Sequence, residues 1–222
     1  MKAGVDAILR KAQAEYLDSL LTESDPLLAV MERVAADEGH PIADREVAQL
    51  MRVVLAMRAP KRILEIGTNI GYSVVVMGRA CPDAEIETIE IDPAVLRTAQ
   101  EFVREAGFAD RVTFHRGAAL DVLAGLQGPW DFVFIDCVKT EYSDYLALVR
   151  DRLTPGGVIF VDNLLWGGQV AEGAKSGDQR DSTEAIREFN ARFTGDPALV
   201  ATVIAVGDGV GIAVKGDRTL LG

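Results

Sequence analysis

Apolar residues in the first part of the chain return every three to four positions. Val5–Leu21 and Leu27–Val34 carry that spacing. Asp44–Met57 then lines up Val47, Leu50, Met51, Val54 and Leu55 on one face, so residues 1–58 read as three amphipathic helices. Ser24-Asp25-Pro26 is a helix-start signal, with proline where the first turn has no amide hydrogen bond to lose. Gly39-His40-Pro41-Ile42 reads as a turn or an extended link.

From residue 61 short apolar runs alternate with amphipathic stretches. Strands are expected at Arg62–Ile66, Glu85–Ile91, Arg111–His115, Asp131–Ile135 and Val158–Val161. Helices are expected at Ser73–Ala80, Pro93–Ala106, Leu120–Leu126 and Ser143–Leu153. Repeated strand–helix units imply a parallel sheet with helices on both faces, wound right-handed. The tail breaks the rhythm. After a helix near Ser182–Phe193, the runs Leu199–Val206 and Val210–Val214 are joined by Gly207-Asp208-Gly209, a link short enough to force an antiparallel hairpin. The expected fold is therefore α/β: a doubly wound, Rossmann-like, mostly parallel seven-stranded sheet ending in an antiparallel hairpin. One domain spans 1–222, with 1–58 a helical extension and 59–222 the core.

Composition narrows the function classes. The chain has 222 residues, 49% hydrophobic, with a net charge of −11. That charge weighs against nonspecific nucleic-acid binding, which depends on Lys and Arg meeting phosphates, although it leaves room for a local basic patch. No apolar run is long enough for a membrane span, and charges interrupt the N-terminal stretch where a signal peptide needs an unbroken one. Two distant cysteines, Cys81 and Cys137, and two histidines make a Cys/His zinc site improbable and fit a reduced, cytoplasmic protein.

Open α/β sheets bind ligands at the carboxyl ends of their strands. There the first strand runs into Glu65-Ile66-Gly67-Thr68-Asn69-Ile70-Gly71-Tyr72-Ser73, the second ends at Glu90-Ile91-Asp92, the fourth at Asp136 and the fifth at Asp162-Asn163. Gly67 and Gly71 permit a tight turn close to a ligand, but an ordinary strand–helix turn would look similar. A dinucleotide fingerprint would need glycine at 69 and 72, where Asn69 and Tyr72 stand, so a pyrophosphate has no glycine bed. Glu90 is placed to accept hydrogen bonds from ribose hydroxyls. A nucleoside without pyrophosphate meets both conditions, and S-adenosylmethionine is a common cofactor of that kind. Asp136, Asp162 and Asn163 are hard oxygen donors suited to Mg²⁺ or a similar ion, the alternative being that both aspartates cap helices. Lys139, three residues after Asp136, could reach the same place as a general base or be a surface lysine.

The motifs LEIGTNIGYS (64–73), TIEIDP (88–93), FIDCVKTEY (134–142), GGVIFVDNLLWGG (156–168) and VGDGVGIAVK (206–215) together resemble the metal-dependent O-methyltransferases of the catechol and caffeoyl-CoA type. The resemblance runs from about Ile42 to Lys215. It implies Asp136, Asp162 and Asn163 as metal ligands, with Lys139 the base and Asp136 beside it in the catalytic set. It assigns the cofactor to Ile42, Glu65, Gly67, Gly71, Ser73, Glu90, Gly117, Ala118, Ala119 and Asp136. Ser73 and the backbone near Ile42 would hold the methionine end, Glu90 the ribose, and Gly117-Ala118-Ala119 the adenine.

Three departures touch the site. Cys137-Val138 replaces the usual small and acidic pair, Ala118 stands where an acid is frequent, and Pro41-Ile42-Ala43-Asp44 replaces a Pro-Glu-x-Gly stretch. The acceptor is expected to be a small hydroxylated aromatic with vicinal oxygens. His40-Pro41-Ile42, PKRILEIGTNIGYS and DNLLWGGQVAE are also similar to a bacterial branch acting on 5-hydroxyuridine in tRNA, which leaves tRNA as an alternative acceptor. Lys61, Arg62 and Arg10 are candidates for a basic patch, and Trp166 for either an aromatic wall or core packing. The family resemblance further implies a homodimer. A non-catalytic nucleoside-binding domain is the reading from another class; the full Asp/Lys/Asp-Asn set argues against it.

Overall fold

Strand residues of alternating parity bury on opposite sides of one sheet, and this organises the molecule. The computed structural model describes residues 11–21, 25–174 and 180–216. Its strands are β1 (Arg62–Ile66), β2 (Glu85–Glu90), β3 (Val112–Arg116), β4 (Trp130–Ile135), β5 (Leu153–Val161), β6 (Leu199–Ile204) and β7 (Val210–Lys215). They form a seven-stranded sheet in the order β3-β2-β1-β4-β5-β7-β6. β1 to β5 pair in parallel, whereas β7 runs antiparallel between β5 and β6.

On one face Ile63, Ile86, Phe132, Phe134 and Phe160 pack against α2 (Pro26–Glu38), α3 (Arg45–Arg58), α4 (Tyr72–Ala80) and α5 (Pro93–Ala106). On the other, Leu64, Ile89, Val133, Ile135 and Ile159 pack against α6 (Ala119–Gly125), α7 (Tyr142–Val149) and α9 (Arg180–Gly195), the last preceded by the short α8 (Gln169–Glu172). This is the doubly wound arrangement expected from the alternating elements. The strand order reverses between β1 and β4, where the crossovers leave a crevice at the carboxyl edge.

Several boundaries move for local reasons. Asp25 caps α2 through Leu27 N at 2.9 Å, with Pro26 in the first turn, and Gly39 closes the helix at φ 75°. The helix read at Ser143–Leu153 stops at Val149, and a 3₁₀ turn at Arg150–Arg152 leads straight into β5. β5 therefore starts at Leu153 rather than Val158, with an irregular register between its pairs Trp130↔Leu153 and Phe132↔Val158. In the hairpin the last pair is Ile204↔Val210, so its loop takes in residues 205–209.

The first helix departs most from its apolar pattern. α1 (Lys11–Ser19) buries no residue, and Tyr16, Leu17 and Leu20 are exposed. Val5, Arg10 and the rest of that stretch before residue 11 lie outside the described residues, as does Ser24. Among the described residues no helix is long and apolar enough to cross a membrane.

Candidate functional site

At the end of β1 the chain turns sharply beside the end of β4. Asp136 N donates to Ile66 O at 3.0 Å, and Gly67 sits at φ 101° against the Asp136 backbone. A Cβ at Gly67 would lie 2.1 Å from the Asp136 carbonyl oxygen, so a side chain there is excluded on both counts. Gly71 (φ 84°) opens α4 and packs on Ala99 of α5.

Between the two glycines, Asn69 N donates to Glu90 Oε2 at 2.9 Å, and the Asn69 amide donates to Pro41 O at 2.5 Å. Glu90 Oε1 accepts from the amides of Ile91 and Asp92, each at 2.9 Å. Glu90 is therefore not a free strand-end acid. Three backbone N–H groups fix its carboxylate at the crevice, leaving about one of its roughly four lone-pair sites for a ligand hydroxyl.

Two clefts flank this turn. The smaller, about 20 Å³, is lined by Ile42, Gly67, Thr68, Asn69, Ser73 and Asp136. The larger, about 100 Å³, is lined by Glu90, Ile91, Gly117, Ala118, Ala119 and Tyr145, among others. Ala118 offers no side-chain acceptor there, so any polar contact from 117–119 comes from backbone.

Glu65 is placed differently from the other cofactor candidates. It points to the α4 face of β1 and is fully buried, its carboxyl group hydrogen-bonded to the hydroxyls of Ser73 and of Thr88, the latter at 2.5 Å. Burial pushes its acid up to about 8, against the opposing pull of the two hydroxyls. It thus stands behind Ser73, which lines the smaller cleft, and does not itself line either one.

The candidate metal donors converge. β4 and β5 are neighbours in register at Ile135↔Val161, which puts Asp136 and Asp162 at the next positions along adjacent strands. Lys139 Nζ lies 2.7 Å from Asp136 Oδ1 and 2.6 Å from Asn163 Oδ1. Asn163 reaches this point from a left-handed backbone at φ 63°, and Asp162 Oδ1 accepts its amide at 2.7 Å. Neither aspartate caps a helix: the cap positions of the following turns are Val138 and Leu165. Burial first, and then the like charge of Asp136, push the Asp162 acid up to about 7.

Two donors thus already close on one cation, and the third is a buried carboxylate short of compensating charge. Two carboxylates and an amide oxygen so arranged fit a divalent ion that keeps positions open for another ligand. Among the described residues no group of three or more His, Cys, Asp or Glu side chains gathers at metal-binding distance; the candidate set has two carboxylates, its third donor being the Asn163 amide.

Sequence reasoning passed over Tyr142. Its hydroxyl lies 2.7 Å from Lys139 Nζ and 3.2 Å from Asp162 O, and burial holds the phenol well above its usual range. The signal was an aromatic residue one turn beyond the lysine. Trp166 is half-buried against the α7/α9 core at φ 49°, and its indole nitrogen is buried without a partner. Lys61 and Arg62 lie at the opposite, amino end of β1, paired with Asp83 and Glu87, so they form no patch at this crevice.

A family model described as O-methyltransferase matches residues 19–216. The chain is 30% identical to a catechol O-methyltransferase from Niastella koreensis over 211 residues, 90% of this chain and 94% of that one. It is 31% identical over 175 residues to tricin synthase 2 of rice, Oryza sativa subsp. japonica, covering 74% of this chain and 60% of that enzyme's length. Among solved structures, the O-methyltransferase TomG of Streptomyces achromogenes, involved in tomaymycin synthesis and in complex with SAM, superposes with a TM-score of 0.79 at 30% identity. That match covers 90% of this chain and 94% of the other.

Proposed function

The chain belongs to the O-methyltransferase family, and from that premise we propose that this S-adenosylmethionine-dependent enzyme methylates one hydroxyl of a small aromatic acceptor with two neighbouring oxygens, using a divalent cation such as Mg²⁺. The observation that carries the finer reading is that Asp136 and Asn163 both lie within 2.7 Å of the Lys139 nitrogen, next to the buried Asp162.

In this reading the residues around the Gly67 turn would hold the cofactor. The smaller cleft would take its methionine end against Ile42 and Ser73, and Glu90 would accept from the ribose. Gly117, Ala118 and Ala119 border the adenine. Gly67 and Gly71 keep the turn open, and Glu65 supports the cofactor indirectly by holding Ser73.

Asp136, Asp162 and Asn163 would hold the cation. When bound, it would lower the pKa of an acceptor hydroxyl and orient the neighbouring oxygen. Lys139 accepts the hydroxyl proton, with Tyr142 holding the amine in place. Bound S-adenosylmethionine would supply the methyl group that the acceptor oxygen takes. A C–O bond forms as the C–S bond breaks, and S-adenosylhomocysteine leaves. Alignment of the two reactants supplies much of the acceleration.

A tRNA acceptor would need cations around the crevice, and Lys61 and Arg62 stand at the far edge. The free thiols Cys81 and Cys137 suit a cytoplasmic enzyme. A homodimer would cover Val53 and Met57 of α3, which are 47% and 82% exposed.

Incubation with labelled S-adenosylmethionine and Mg²⁺ tests the reading, offering a catechol panel and hydroxyuridine-containing tRNA beside EDTA and Asp162→Ala controls. Metal-dependent labelling of the catechols supports it. Labelling of the tRNA alone overturns the acceptor, and transfer surviving both controls overturns the metal.

A further inference from the structure

Beyond the two clefts at the Gly67 turn lies a larger groove that the reaction chemistry does not use. Its volume is about 450 Å³, and it runs between α1, the start of α3 and the β6–β7 loop. Leu17, Leu21 and Val206 supply apolar wall, and Glu15, Asp18 and Glu46 supply charge. Among the described residues no lysine or arginine lines it, and Lys11 on α1 is an exposed partner of Glu15 at 3.6 Å.

This groove is tied to the candidate metal donors through one loop. Asp208 O accepts from Leu165 N at 2.8 Å, and Asp208 Oδ1 accepts from Gly167 N at 2.6 Å. Leu164 N donates to Gly209 O at 2.8 Å. The hairpin loop is thus stitched to the segment that directly follows Asp162-Asn163, while its Gly207 packs on Val47 and Asp44. Asp44 thus places a further carboxylate beside the loop, next to the groove's own Glu46.

We propose that this groove is a subsite for the distal arm of the acceptor, and that it selects an arm bearing an ammonium group over one bearing carboxylate or phosphate. The inference rests on the methyl-transfer reading above. An aromatic ring held at Asp136 and Asn163 directs its ring substituent outward. The apolar wall covers the methylenes of a short arm, and the carboxylates meet a cation at its end. A polyanionic arm, such as a coenzyme A ester or a nucleic-acid backbone, meets like charge there, with no lysine or arginine among the described residues that line the groove. Charge here acts on binding and not on the methyl-transfer step, so it appears in KM and leaves kcat alone.

A matched series of acceptors isolates the effect: 4-(2-aminoethyl)catechol, 4-ethylcatechol and 3,4-dihydroxyphenylacetate, with caffeoyl-CoA as the polyanion. With saturating S-adenosylmethionine and Mg²⁺, KM should rise in that order. The double variant Asp18→Asn/Glu46→Gln should raise KM for the amine about 5-fold, from roughly 1.5- to 5-fold per exposed carboxylate. It should lower KM for the acid and leave 4-ethylcatechol and kcat unchanged. Added salt should compress the wild-type spread. Equal KM values across the series, or a double variant that shifts all acceptors alike, overturn the subsite and leave the methyltransferase reading standing. Failure to methylate any catechol overturns that reading, and the subsite with it.

Discussion

Replacing Glu65 by glutamine should make the apoprotein more stable at pH 8 while changing little at pH 5. Glu65 is fully buried, contacts two hydroxyls and has no cationic partner, and its acid is pushed from the usual 4.5 to about 8. Below pH 4.5 the folded and unfolded chains both hold the proton, and the group contributes no slope. Between 4.5 and 8 the unfolded chain has released it and the folded chain has not, so stability falls as pH rises. The slope is roughly 1 kcal/mol per pH unit, or about 3 kcal/mol between pH 5 and 8. The Glu65→Gln side chain would keep the partners of the neutral acid, because an amide can both accept from and donate to Ser73 and Thr88.

Urea denaturation of both proteins across pH 5–8 reads the effect as a midpoint gap that opens by about 1 M. Asp162, also raised, adds its own slope to both proteins and cancels in the difference. A gap that stays constant with pH would show that Glu65 is ionised in the folded protein, and the argument from burial would fail.

Gly67→Ala puts a Cβ 2.1 Å from the Asp136 carbonyl at a backbone φ of 101°; S-adenosylhomocysteine affinity should drop about 10-fold or more by titration calorimetry. Lys139→Met removes the amine between Asp136 and Asn163, so kcat should fall about 100-fold or more while S-adenosylhomocysteine affinity holds. Asp131→Asn tests the opposite edge of the sheet, where one carboxylate joins Arg58, Thr154 and the amides of Lys61 and Arg62. Burial raises that acid, but these partners together outweigh it and hold it below its usual value, so its contribution is present above pH 3.8 and lost as pH falls further. The variant should lose about 2–3 kcal/mol at pH 7 in urea melts, and less below pH 3.8.

Most of the fold was readable because its signals are local. Short strand segments rich in apolar residues, the Asp25-Pro26 start, and helices of period 3.6 need no distant partner to be recognised. The candidate site was readable because parallel topology sends every strand's carboxyl end to one edge. Glu90, Asp136 and Asp162-Asn163 share that edge by connectivity alone. α1 is helical as its apolar spacing suggests, yet it buries no residue, because nothing local says whether a core lies beneath a helix. β5 began earlier than its hydrophobic run because Leu153 already pairs with Trp130, ahead of an irregular stretch that Thr154-Pro155-Gly156-Gly157 does not mark as strand.

The order of hydrophobic and polar residues along this chain determined an α/β sheet with a final antiparallel hairpin, and which acids and glycines sit at its working edge. Tertiary structure alone decided how those groups face one another. Glu65 and Glu90 are both strand acids in the sequence. Parity turns the first into the α4 interface, where burial raises its pKa, and loop amides hold the second at the cleft. Likewise, Lys139 meets Asn163 only because β4 and β5 lie side by side, 24 residues of chain closing to 2.6 Å. Local periodicity records which way a side chain leaves its own backbone; what it meets there depends on elements that come from elsewhere in the chain.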